Sequence, residues 1–220
     1  KLKTRIVKDV ISIGMAPFFM NSAACLIVIL INQGLQQHGG DLAIGAYGIV
    51  NRVSFVFVMI VLGINQGMQP IVGFNYGAKQ YKRTVEALKL TIICATAVTT
   101  TGFIMAEFFP RAISLVFTTD EELIQHATVG MRIVFACFPI IGFQIVAGNF
   151  FQSVGMASKS VFMSLTRQLI FLLPGLLILP TFIGTNGIWM SMPIADGLSS
   201  MIAFILLYKQ IKKFKKIEQY

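Results

Sequence analysis

Three stretches of the chain, residues 10–40, 53–78 and 133–158, carry no Asp, Glu, Lys or Arg over 31, 26 and 26 positions. About 20 predominantly apolar residues suffice for a helix to cross a bilayer, so each stretch is long enough. Together with the apolar runs between them, the pattern predicts six helical spans at about 10–35, 46–72, 85–109, 122–151, 161–182 and 187–208. The expected fold class is all-α: a polytopic integral membrane protein whose six transmembrane helices form one bundle across residues 1–220. An even number of spans puts both termini on one side.

The polar and helix-breaking positions inside these runs give the pattern its detail. Gly63, Gly67 and Pro70 are expected to loosen or break the second span, since Pro70 has no N–H to offer the carbonyl of Gln66. In the first span Gly14, Pro17 and Asn21 share a face, and Pro17 is a second expected bend. Pro193 is a third, freeing the carbonyl of Trp189 in the sixth span. The segment Gln36–Gly45, with HGGDLAIG, reads as a short external loop. Asn51 and Gln69 lie five helical turns apart, with Asn65 close to the same face. Gln144, Gly148 and Gln152 repeat every four residues, a stripe suited to helix packing or to lining a cavity. Thr118 and Thr119 ahead of Asp120, Glu121 and Glu122 read as a capping box opening the fourth span. The candidate translocation residues are therefore Asn21, Asn65, Gln69, Gln144 and Gln152, and the candidate hinges Pro17, Gly67, Pro70 and Pro193.

Asp196 is the one carboxylate deep within a span, close to the expected bilayer midplane. A charge there is costly and by default marks function, which makes Asp196 the candidate for ion coupling. An ion pair with Arg167 on the neighbouring span is the structural alternative, and the sequence leaves both open.

Composition sharpens the picture. The chain is 55% hydrophobic and only 12% charged, against about 25% charged in soluble domains. Its formal net charge of +9 suggests nucleic acid only until placement is considered. Lys and Arg concentrate near Lys1–Asp9, Gly73–Lys89, Gly155–Arg167 and Lys209–Tyr220, whereas the opposite flanks hold Arg52, Arg111 and Arg132. By the positive-inside rule both termini face the cytoplasm, the partner is the lipid bilayer of the cytoplasmic (inner) membrane, and no nucleic acid is implied. Cys25, Cys94 and Cys137 sit in apolar runs and are expected as buried, reduced thiols. No Cys/His cluster has metal spacing, and no catalytic triad or carboxylate pair suggests an enzyme or a bound cofactor.

The segment GINQGMQPIVGFNYGAKQYKR, entered from an apolar helix and left through a basic one, resembles the signature of the multidrug and toxic compound extrusion (MATE) family. NQGLQQHGGDLAIGAYGIVNRV and GIWMSMPIAD also resemble the corresponding parts of that family. The resemblance implies one lobe, the C-terminal one, of a two-lobe transporter, with an N-terminal lobe of similar size missing from this chain. It further implies efflux of drugs or small organic cations by alternating access, in antiport with protons or sodium ions; which ion is left open. Some branches of the family use acidic ligands in the first and fourth spans of this lobe. Neither apolar run here contains Asp or Glu, so coupling falls to Asp196 or to the other lobe. A lipid-linked oligosaccharide flippase of the same broader superfamily and a non-catalytic membrane subunit are the alternatives. Several inward cations would be expected of the flippase, and Arg167 is the main one available.

Overall fold

The computed structural model describes the backbone of residues 4–218 and, within it, the side chains of Phe18 and residues 21–217. Pro17 lies outside the residues whose side chains are described. Every regular element among the described residues is helical.

The first two spans form one helical run, Thr4–Gly77, broken by the non-helical dihedrals of Gly40 (φ 62°, ψ −159°). Drawn straight, the 57 apolar residues Asn21–Gly77 would extend about 85 Å at 1.5 Å per residue, far beyond a bilayer's roughly 30 Å of hydrocarbon. Ile31 and Tyr47, and likewise Ile27 and Val50, line one cavity from the two sides of Gly40, the pairing of an antiparallel hairpin. The loop expected over Gln36–Gly45 is thus helical up to a single residue on each side. One glycine at positive φ reverses the chain without a longer linker, because it has no Cβ to clash in that conformation.

The hinge expected at Gly67 and Pro70 is not a break either. Gly40 is the non-helical residue of Thr4–Gly77, and the second span passes helically through GINQGMQPIVG.

A turn through Lys79 (φ 60°) leads to the third span, Tyr81–Phe108, and a short helix, Pro110–Leu115, follows. The fourth span is bent: Glu121–Phe135 and Phe138–Ser153 meet at 53° across Ala136–Cys137, just before Pro139. Its start is capped by Asp120 itself, whose carboxylate accepts from the N–H of Glu122 (3.0 Å) and Leu123 (3.4 Å). Asp120 replaces the expected Thr capping box, Thr118 Oγ1 instead accepting from the Asp120 N–H at 3.2 Å. The fifth span is α-helical over Ala157–Leu165 and Leu173–Ile183, with a π-helical stretch, Thr166–Leu172, between them. Gly184 (φ 57°) turns the chain into the sixth span, Thr185–Glu218, which runs on through Pro193 and past the expected end at 208.

Two apolar clusters hold the bundle. One, with Leu35, Phe135, Phe138 and Trp189, lies toward the end where Thr185 Oγ1 donates to the His38 carbonyl at 2.8 Å. The other, with Val72, Leu88, Phe150 and Phe151, lies toward the opposite end. There Phe214 stacks on Tyr81 at 5.0 Å between ring centroids and Lys159 donates to Gln210 at 2.8 Å. Among the described residues, the cations of 79–89, Lys159 and those of 209–216 gather at this second end. The bundle's outside is apolar: Phe74 and Phe182 are 77% and 80% exposed, with Met201, Phe204 and many aliphatic side chains beside them. So continuous an apolar surface belongs in lipid or against another membrane-embedded lobe. Cys25 and Cys94 lie on this exposed surface and Cys137 is half-buried, so the expected burial is corrected: a thiol in an apolar run can face lipid as readily as the core.

Candidate functional site

Arg167 and Asp196 come together. The last residue before the fifth span's irregular stretch is Leu165, and the second residue within it, Arg167, points its Nε at Asp196 Oδ1, 2.5 Å away. Asp196 is almost wholly buried, its side chain 3% exposed, whereas that of Arg167 is 37% exposed. A carboxylate buried to this degree requires a partner, and the charge-assisted bond to Arg167 provides it.

The pair forms part of the wall of a cavity of about 520 Å³ bounded by the first, second, fourth, fifth and sixth spans. Ile27, Ile31, Phe55, Phe138 and Met192 make most of its surface apolar, and Asn51, Ser54 and Gln168 add polar groups. This is the range and character of a small-molecule site: a hydrophobic chamber with a few placed polar groups.

A second, smaller cavity of about 180 Å³ shares Ile141, Ile145, Arg167 and Gln168 with the first. Its lining is more polar, from Gln144, Asn149 and Gln152 on the fourth span and Ser160 and Ser164 on the fifth. The stripe read in the sequence therefore lines a cavity, and Gly148 leaves room beside the fifth span, the nearest atom to an added Cβ being Ser160 Oγ at 4.0 Å. Gln144 Oε1 accepts from Ser200 Oγ at 3.4 Å, and Gln69 donates to Asn149 Oδ1 at 3.2 Å. Gln69 thus reaches the smaller cavity through Asn149.

Two candidates fall elsewhere. Asn21 is exposed on the first span and lines neither cavity. Asn65 is buried, donates to the Val61 carbonyl at 2.8 Å, and lines neither cavity. Its short amide folds back on its own helix turn, which three- or four-residue spacing allows for any such side chain. Sequence reasoning missed Asn149, Ser160, Ser164 and Gln168. The signal was present: Ser160, Ser164 and Arg167 or Gln168 recur at helical spacing, facing the fourth-span stripe. Among the described residues no three His, Cys, Asp or Glu side chains come together to hold a metal ion.

Known proteins share this architecture. Residues 13–177 match the MatE family model. The multidrug export protein MepA of Staphylococcus aureus is 25% identical over 215 residues, covering 94% of this chain and 46% of MepA. A solved structure of the MATE multidrug transporter DinF-BH superposes with a TM-score of 0.81 at 42% identity, covering 94% of this chain and 47% of that one. An inward-facing MATE transporter of the MOP superfamily shares the fold at a TM-score of 0.88 and 17% identity, covering 98% of this chain and 50% of that one. The chain spans about half the length of the curated relatives it matches.

Proposed function

Since the chain belongs to the MatE family, we propose that it is one six-span lobe of a secondary antiporter that exports drugs or small organic cations. The half-length match to MepA and to DinF-BH supports a second lobe of similar size completing the translocation unit. Alternating access needs two bundles rocking about a site near the midplane, and one lobe supplies half of it. The observation that carries the reading is the buried Asp196, paired with Arg167 on the wall of an apolar chamber of drug-sized volume.

In this reading Asp196 takes part in coupling to the proton or sodium gradient, with no enzymatic step and no resident cofactor. Both termini and the Lys79–Lys89 segment lie in the cytoplasm, supported by the crowding of Lys and Arg at that end of the bundle. A flippase reading has less support, because Arg167 is the one cation lining either cavity among the described residues, and Asp196 already neutralises it.

The complete transporter in proteoliposomes tests this. An imposed proton or sodium gradient should drive uptake of a cationic dye, and Asp196→Asn should abolish the gradient dependence with the protein still folded. Dye movement indifferent to both gradients would overturn the antiporter.

A further inference from the structure

The Arg167–Asp196 pair stands at the junction of the two cavities, and its parts differ in freedom. Asp196 is fixed on the sixth span and buried to 3% exposure, whereas Arg167 is 37% exposed, long, and borders both chambers. Arg167 also belongs to the π-helical stretch Thr166–Leu172. Such stretches are rare and cluster at functional sites, and a one-residue change of register turns a helical side chain by about 100° about the axis. The residue next to it supplies a third observation. Gln168 Oε1 is buried without a hydrogen-bond donor among the described residues, and Gln168 lines both cavities.

We propose that Arg167 is a tethered cation which an incoming organic cation displaces from Asp196, the guanidinium then turning into the smaller cavity. This rests on the export reading above and specifies how the lobe handles its substrate. Charge and donors decide the direction. The resting pair is neutral, so a cation entering the apolar chamber finds one counter-charge and must compete with Arg167 for it. The chamber's apolar and aromatic wall suits a hydrophobic monovalent cation better than a hydrated metal ion. A displaced guanidinium needs oxygen acceptors, and the smaller cavity presents Gln152, Gln144 and the donor-less Gln168 Oε1. An anionic substrate would instead leave Asp196 to repel it and Gln168 Oε1 still without a donor.

The test is equilibrium binding of tetraphenylphosphonium to the complete purified transporter, with uncharged triphenylphosphine oxide as the control. Arg167→Gln should bind the cation about tenfold more tightly than wild type, and Arg167→Lys near wild type. Asp196→Asn should bind it more weakly, and Arg167→Gln added to Asp196→Asn should then change nothing. The neutral control should be unaffected by residue 167. Equal or weaker cation binding by Arg167→Gln, or no binding by any variant, overturns the proposal. Should Arg167→Gln fail to accumulate, a Ser164→Cys reporter in a background lacking Cys25, Cys94 and Cys137 decides instead. Bound tetraphenylphosphonium should shield it from a small thiol reagent as the guanidinium moves in, and unchanged labelling overturns displacement. The two readings separate cleanly. Gradient-driven transport without any effect of Arg167 removes displacement alone, and cation displacement without gradient-driven transport removes the antiporter alone.

Discussion

The second and fifth spans each carry a proline within an apolar helix and respond to it differently. The second carries Gly63, Gly67 and Pro70 within eight residues and runs helically through all of them. The fifth carries Pro174, which has no N–H for the carbonyl of Ile170, and departs from α-helix over Thr166–Leu172, the turns just before it. Glycine and proline lower a helix's resistance to distortion; whether it distorts depends on what its neighbours demand. Around Gly63 and Gly67 nothing lies within 4 Å of where a Cβ would stand, so nothing pushes. Around Pro174 the fifth span is held against the sixth: a Cβ on Gly175 would lie 3.3 Å from Ser191, and Arg167 is tied to Asp196.

That contrast is sharpest at the ion pair. Arg167→Gln should leave a buried carboxylate unpaired and destabilise the complete protein by about 2–3 kcal/mol, below the roughly 3–5 kcal/mol of a fully buried pair because the guanidinium is 37% exposed. Adding Asp196→Asn should restore most of the loss in thermal unfolding. A double variant no more stable than Arg167→Gln would show that the unpaired carboxylate is not what the loss of Arg167 costs.

Smaller effects are expected from the glycines. Gly187 packs against the fifth span so tightly that an added Cβ would lie 2.5 Å from the Leu179 carbonyl carbon and oxygen. Gly187→Ala should therefore cost about 1–3 kcal/mol, as overpacking of a rigid backbone does. Gly67→Ala should do the reverse, raising stability by up to about 1 kcal/mol, since the position is helical and open. If stability rises while efflux falls, the open face of the second span serves the approach of the second lobe.

The smallest shift is expected for Pro70→Ala: a membrane level close to wild type and a thermal midpoint unchanged or slightly higher, since the helix already continues through the residue. A marked drop in either measurement would mean that the bundle relies on the proline's distortion after all.

Much of this was legible in advance, and for particular reasons. Asp196 declared itself because one acid deep in an apolar run must be either paired or functional, and Arg167 was the one cation within reach on an adjacent span. Gln144 and Gln152 were legible through their four-residue spacing. Asn21 and Asn65 had equally polar side chains but no partner stripe on a facing helix, so their chemistry could not reveal which way they pointed. The reversal was legible in HGGDLAIG, but that it takes a single residue, Gly40, was not, because the helix continues on both sides of it. The bend at Ala136–Cys137 did have a signal in Pro139, which leaves the Phe135 carbonyl without its helical donor inside an otherwise unbroken apolar run.

By itself the sequence determined the membrane environment, the helical class and the family, because apolar length, charge placement and a signature segment are properties of the chain read in one dimension. Only the tertiary structure decided which breakers break, which amides meet, and that Arg167 and Asp196 close on one another between two cavities. Those outcomes depend on the register of one helix against the next. Register is set by packing across residues far apart in the chain, such as Gly187 against Leu179 and Gly130 against Trp189.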